Sequence, residues 1–329
     1  MRRVAVVNDV AGVARLQVQA LREAGWEADL YDVRKPAARW PRWAKLLVSP
    51  LRLALYVPIV SRIRIGRYDF VHVHYVSHGV VGALSGRPYF LQAHGSDLHT
   101  NLRNPVMRWW SARWMRRARA IFYVTPNLAQ YLTDFRAKSV LLPNPIDVGR
   151  FAGIPPPGRI ENVLIFMRLD PVKGPATIFA VVSELAGVVS LTAIDTGALA
   201  QEYKTRYGDH AHFISPVAHA DVPALLARFD ATIGQMVQGV PGLSELEALA
   251  AGRVVFMAID DALYPNDAPP VVRVSDGRDL IARLRELRHE TEELQRISSD
   301  GREWIRRQHS LKAHATALIA CYESVPDAG

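Results

Sequence analysis

Four short stretches hold the side chains best suited to chemistry on a charged ligand. In NDVAGVARLQ, Gly12 lies where a strand passes into a helix, and a helix start offers backbone N–H groups and a positive dipole end to an anion. In LQAHGSDLH, His94 and Gly95 close an apolar strand and a polar loop follows. His94 therefore sits at a strand's carboxyl end, where open α/β sheets bind ligands. In FMRLDPVKG, Arg168 ends a strand and Lys173 precedes Gly174 and a helix. That pairing of a planar fork with a point charge suits a diphosphate. In QGVPGLSELEALAAG, a Gly-rich loop runs into a helix bearing Glu245 and Glu247. Glu247, one turn inside the helix, can accept both hydrogens of a ribose diol. Glu245, two residues away, points elsewhere and reads as solvated. Plainer readings exist for each: one glycine at a strand–helix turn is common, a strand-end His can cap a turn, and two cations can occupy a solvated loop.

Other polar groups read as structural. His72 and His74 alternate within DFVHVHY and share one face, but no nearby carboxylate or third ligand completes a metal site. They read as packed residues. Asp260 and Asp261, after a strand, read as loop, so no metal site is expected.

The elements that must position these groups alternate. RRVAVVND, WEADLYD, YDFVHVHYV, PYFLQAHG, ARAIFYVT and KSVLLPN read as strands, and residues 12–25 as an amphipathic helix ending at Gly25. Short apolar runs separated by helical stretches imply βαβ units and parallel sheets. AGIPPPGR, at 152–159, is the best linker, and the alternation restarts after it. The expectation is two tandem doubly wound (Rossmann-like) α/β domains facing a cleft, which favours closure around a substrate. Neither GxxxxGK[ST] nor a strand-following GxGxxG occurs, which argues against ATPases and dinucleotide dehydrogenases.

The composition sharpens this. The 329 residues are 49% hydrophobic and 22% charged, ordinary values for two globular domains. The net charge of +8 is unevenly placed. Residues 1–150 hold 23 basic against 9 acidic residues (+14), and 151–329 hold 17 against 23 (−6). Arg supplies 34 of the 40 basic residues; a GC-rich coding bias would explain Arg over Lys but not the confinement to one half. Cys321 is the single cysteine, which excludes disulfide frameworks and cysteine metal clusters and fits a reducing compartment. The opening apolar run ends at Asn8 and Asp9, too soon for a signal peptide, and no stretch has the roughly 20 apolar residues of a membrane span.

Taken in order, AGVARL, LQAHGSDL, LLPNPIDVGRF with FMRLDPVKG, and SELEALAAG resemble the retaining glycosyltransferases of family four, which have the GT-B fold. DFVHVHY and the terminal helix ending in CYES extend the resemblance over nearly the whole chain. It implies sugar transfer from a nucleoside-diphosphate donor with retention of configuration and without a metal or other cofactor. Gly12 then falls near the donor phosphates and acceptor, and His94 near the transferred sugar. Arg168 and Lys173 neutralise the diphosphate leaving group, and Glu247 holds the ribose. Asn144 and Asp147 fall in a structural motif before the linker. A last helix, about 311–325, crosses back, giving domains of 1–152 plus 311–329 and 153–310. Three positions depart from the pattern. Met167 stands where Gly is usual, and Thr125 where Ser is common. The first Glu of the paired-glutamate motif falls on Gly239 by spacing, and one extra loop residue puts Gln238 in its place. Gln238, Gly239 and Gly242 then line the donor site, with an acceptor but no charge where that Glu would be. Other readings are a non-catalytic nucleotide-sugar-binding homologue and a nucleotide-sugar epimerase of the same fold.

The basic half bears on where the protein works. In MRWWSARWMRRAR, Met107, Trp110, Trp114 and Ala118 share one helical face, which should be buried, and Trp109 falls opposite, among Arg113 and Arg116. Residues 39–67 add Trp40 and Trp43 with Arg39, Arg42, Lys45, Arg52, Arg62, Arg64 and Arg67. An exposed Trp among arginines suits a lipid interface, and each basic residue near an anionic leaflet is worth roughly 1 kcal/mol. The expectation is a cytoplasmic protein docked on the inner face of the plasma membrane, with a saccharide or lipid-linked acceptor. A soluble Arg-rich surface with core Trp is the plainer alternative. No nucleic-acid-binding module is recognisable, so nucleic acid is not expected as a partner.

Overall fold

The computed structural model describes residues 2–33, 54–99 and 101–324. Contacts divide the chain into two units, Met1–Pro145 with Leu311–Gly329, and Ile146–Ser310.

The first unit contains β1 (Arg3–Val7), α1 (Val13–Glu23), β2 (Glu27–Tyr31), α2 (Val57–Ile65), β3 (Phe70–His74), α3 (Gly79–Ser85), β4 (Tyr89–Ala93), α4 (Pro105–Arg117), β5 (Ile121–Tyr123) and β6 (Ser139–Leu141). Its strands form a parallel sheet in the order β2-β1-β3-β4-β5-β6. The strands are apolar throughout because helices cover both faces. Val4 and Val6 pack on one side with Phe70, Phe90 and Phe122, and Ala5 and Val7 on the other with Val71, Val73 and Leu91.

The second unit holds β7 (Asn162–Ile165), β8 (Ser190–Ile194), β9 (His212–Ile214), β10 (Ala231–Ile233), α5 (Leu243–Ala250), β11 (Val254–Met257) and β12 (Val272–Arg273). Its sheet is also parallel, ordered β12-β11-β10-β7-β8-β9. The terminal helix, α6 (Leu311–Ser324), returns to the first unit, where its Tyr322 is fully buried among Phe70, Phe90 and Phe122. In each sheet the winding direction reverses once, between β1 and β3 and between β7 and β10. Ligands of such sheets bind at the carboxyl ends beside that reversal. The loops after β1, β3, β7 and β10 are therefore the places to look for chemistry.

The Pro-rich 152–159 stretch does not mark the division, which lies between Pro145 and Ile146. Ile146, Phe151 and Ile154 are buried in a second-unit core with Leu164, Leu246 and Trp304, so burial of these side chains fixes the segment before the prolines.

Helix α4 starts at Pro105 with the Asn104 side chain accepting from the Val106 and Met107 N–H groups, a strong N-terminal stop. Trp114 and Ala118 are buried and Met107 and Trp110 half-buried, whereas Trp109 keeps 60% of its surface exposed. Trp40, Trp43, Arg39, Arg42, Lys45 and Arg52 lie outside the described residues.

Candidate active site

In the first unit, the reversal between β1 and β3 concentrates unusual backbone. Asn8, Ala11 and Tyr75 have positive φ (70°, 51° and 71°), as does Gly12 (81°). Non-Gly residues held there are costly and cluster at functional sites. Gly12 caps α1, but the Asp9 carboxylate already accepts from the Ala14 N–H and pairs with Arg15 at 3.0 Å. The helix start thus carries a negative group of its own.

His94 follows β4 and is tied down through Asp97. One Asp97 oxygen accepts from the His94 N–H (2.9 Å) and the other from the Val76 N–H (3.1 Å). Burial raises the Asp97 carboxyl to about 6, against the opposing pull of these hydrogen bonds. The His94 ring stacks on His74, and His94 Nε2 lies 2.8 Å from His74 Nδ1. His72 continues the chain, with Nδ1 2.7 Å from the Tyr322 hydroxyl and Nε2 2.8 Å from Gln92 Oε1. Burial lowers the pKa of all three imidazoles, so they are neutral at pH 7.

Neutrality allows a tautomer argument. His74 is fully buried and its Nε2 has no partner among the described residues. An orphaned buried N–H is rarer than an orphaned acceptor, so Nε2 is the lone-pair atom and Nδ1–H donates to His94 Nε2. His94 then carries its hydrogen on Nδ1. The two strand histidines are packed residues, as the alternation predicts, and His74 also sets the hydrogen of His94.

In the second unit, the reversal between β7 and β10 brings two of the predicted residues together. Lys173 Nζ donates to Gln238 Oε1 at 3.2 Å. Arg168 is exposed and pairs with Asp170 at 2.9 Å, and Met167 is buried. Gly174 and Gly239 both need positive φ (72° and 67°), and neither has room for a side chain. A Cβ would lie 2.6 Å from Val237 Cγ2 at Gly174 and 2.8 Å from Asp260 Cβ at Gly239. At Gly242, the N-cap of α5, a Cβ would stand 3.3 Å from Lys173 Nζ.

Glu245 corrects the sequence reading. It is buried rather than solvated, and its oxygens accept from the Gln235 and Gly242 N–H groups, both at 2.9 Å. It thereby ties the β10 loop to the start of α5. The signal was a Glu three residues into a helix, the acidic half of a capping box. Gln235, also missed, is buried; its Oε1 accepts from the Val237 and Gln238 N–H groups and its Nε2 donates to Val240 O and Ala258 O. It shapes the loop that presents Gln238.

Glu247 is buried, but its Oε1 lies 2.6 Å from His219 Nε2, and His219 has half its side-chain surface exposed. Arg150 backs His219, with Nη1 3.3 Å from Nδ1 and Nη2 donating to the His219 carbonyl. No local pattern links residues so far apart in sequence. No cluster of three or more His, Cys, Asp or Glu able to hold a metal occurs among the described residues. No described helix is long and apolar enough to cross a membrane.

Comparison with known proteins bears on the fold. Residues 10–150 match the family model Glycosyltransferase Family 4, and residues 178–320 match the model Glycosyl transferase-like. No curated protein matches in sequence. Among solved structures, a sucrose-phosphate synthase from Thermosynechococcus elongatus is 15% identical with a TM-score of 0.73, covering 98% of this chain and 99% of that one. HepE from Anabaena in complex with UDP-glucose is 13% identical with a TM-score of 0.69, covering 98% and 100%. The catalytic domain of starch synthase IV from Arabidopsis thaliana, bound to ADP and acarbose, is 12% identical with a TM-score of 0.70, covering 99% of each chain. The two parallel-sheet Rossmann-like units are those of the GT-B fold.

Proposed function

We propose that this chain transfers a sugar from a nucleoside-diphosphate donor to an acceptor with retention of anomeric configuration. The observation that carries the reading is the meeting of Lys173 with Gln238 at the reversal of the second sheet, beside exposed Arg168. Retention rests on the Glycosyltransferase Family 4 match. Lys173 and Arg168 take the diphosphate and stabilise the charge it gains on leaving, without a metal or other cofactor. For Arg168 this exchanges an exposed ion pair, typically worth roughly 0–1 kcal/mol, for a bidentate phosphate contact. Glu247 keeps one oxygen beyond its His219 contact for a ribose hydroxyl. His94, neutral with its hydrogen on Nδ1, donates to the transferred sugar, and the Gly12 turn, whose helix start already carries the Asp9 carboxylate, serves the acceptor. Gln238, Gly239 and Gly242 complete the donor site, and the lack of a side chain at Gly242 leaves Lys173 room.

The acceptor is a saccharide, and the exposed face of α4 favours a lipid-linked one. Val106 is 71% and Trp109 60% exposed on the same side as exposed Arg113 and Arg116. Such a face lies in a membrane interface with its aromatic inserted and its arginines on anionic headgroups, here at the inner leaflet. A second reading, binding without turnover, draws on Gln238 in place of a carboxylate.

The test is a panel of nucleotide sugars assayed for nucleotide release with simple glycosides as acceptors. Release from one donor supports transfer. A thermal shift without release supports the binding-only reading, and neither response to any donor rejects both.

A further inference from the structure

At the amino ends of β4 and β5, away from His94, three arginines converge on one cavity. Arg87 lies in the turn between α3 and β4, and Arg117 and Arg119 at the junction of α4 and β5. With Pro88, Gly86 and Tyr89 they line an open space of about 620 Å³. Pockets for small ligands run from roughly 300 to 1,000 Å³. No acidic residue lines it, and none of the three guanidinium groups makes a hydrogen bond or ion pair among the described residues. His94 follows the other end of β4, a strand of five residues, so about 13 Å of strand separates the two places.

These arginines have no evident structural work. The negative end of α4 is served by Lys138, whose Nζ donates to Arg116 O (2.8 Å) and Ala118 O (3.0 Å). The Trp114 carbonyl accepts from the Tyr89 hydroxyl at 2.7 Å and from the Ala118 N–H. Arg117 and Arg119 are exposed and Arg87 half-buried, so all three heads can reach a ligand. Three arginines around one open space that no carboxylate lines make it a positively charged place for an anion. The guanidinium fork matches the oxygens of a phosphate, and Pro88 with Ala83 offers an apolar wall for whatever carries it.

We propose that Arg87, Arg117 and Arg119 form a second anion site that takes a phosphate group, either of a soluble phosphorylated molecule or of a lipid headgroup. This site is independent of the donor site and of the sugar-transfer reading.

The test uses the full chain carrying Arg168→Ala and Lys173→Ala, so that the donor site cannot capture the probe. Inorganic pyrophosphate is titrated by calorimetry, and vesicles of phosphatidylcholine with and without phosphatidic acid are tested by co-sedimentation. Adding Arg87→Gln, Arg117→Gln and Arg119→Gln should weaken binding roughly tenfold or more, the worth of at least one charge-assisted hydrogen bond, with the melting temperature unchanged. Loss of pyrophosphate binding alone assigns a soluble ligand; loss of phosphatidic acid binding assigns a headgroup. Either supports the site. The control Arg103→Gln, Arg108→Gln and Arg136→Gln removes equal charge from the same unit, at exposed residues outside the arginines assigned to the lipid interface. Equal weakening in the control, no weakening in the triple variant, or no saturable binding to either probe overturns the proposal.

Discussion

The two units use arginine differently. In the second, seven arginines pair with carboxylates: Arg159 with Glu161, Arg168 with Asp170, Arg273 with Asp261, Arg283 with Glu286, Arg296 with Glu293 and Asp300, Arg306 with Glu303 and Arg307 with Asp267. In the first, Arg3, Arg15 and Arg22 pair with acids around β1 and β2. Arg62, Arg67, Arg87, Arg103, Arg108, Arg113, Arg116, Arg117, Arg119 and Arg136 make no ion pair among the described residues. Among the described residues of the first unit, these ten arginines therefore contribute no ion pair to the fold. They are available to anionic partners, and the donor cations Arg168 and Lys173 lie in the unit that is acidic overall.

The comparison breaks most easily at Glu245. Glu245→Ala strands two backbone N–H groups, and at roughly 1–3 kcal/mol each the second unit should lose about 2–6 kcal/mol. Denaturant unfolding checks this; a loss within error would mean that water replaces the carboxylate freely. Next comes Lys173→Ala, expected to weaken nucleoside-diphosphate binding roughly a hundredfold, as for a lost charge-assisted contact, without altering stability. Calorimetric titration reads it, and unchanged affinity would remove Lys173 from the site.

The pH response should also differ between the units. Burial holds His72 and His94 down at about 3, and the unfolded chain takes up their protons near pH 6.5. The unfolded state thus binds more protons below 6.5, and the first unit should lose stability as pH falls from about 7 to about 5. Asp97, raised to about 6, binds its proton in the folded state first and works the other way, but it is one group against three with His74. Hydrogen exchange at both pH values should show the loss in β1, β3 and β4 first; equal loss in β7 and β10 would contradict it. The smallest effect is on vesicle binding. Arg113→Gln with Arg116→Gln should reduce it roughly tenfold or more at low salt, at about 1 kcal/mol per residue, whereas Arg296→Gln with Arg306→Gln should leave it unchanged.

Much of this was legible in the sequence because parallel strands buried on both faces leave continuous apolar runs, as in RVAVV and FVHVH. Those strands placed His94 and Arg168 at carboxyl ends, with Lys173 just beyond, whereas Gln238 came only from the resemblance. Glu245 was misread because Gly242, rather than Ser or Thr, stands at the N-cap, so only the acidic half of the capping box shows in the sequence. His219 was missed because its contact with Glu247 spans 28 residues and depends on tertiary packing. The division falls ahead of the prolines because Ile146, Phe151 and Ile154 dock onto a core, which no local sequence signal announces.

If the reversal of the second sheet holds the diphosphate of a nucleotide sugar, nucleotide release reports it most directly. The measurement compares the unaltered chain with Lys173→Ala across a donor panel. Release from one donor by the unaltered chain, lost in the variant at unchanged melting temperature, is the result predicted. Release that survives Lys173→Ala undiminished would contradict it.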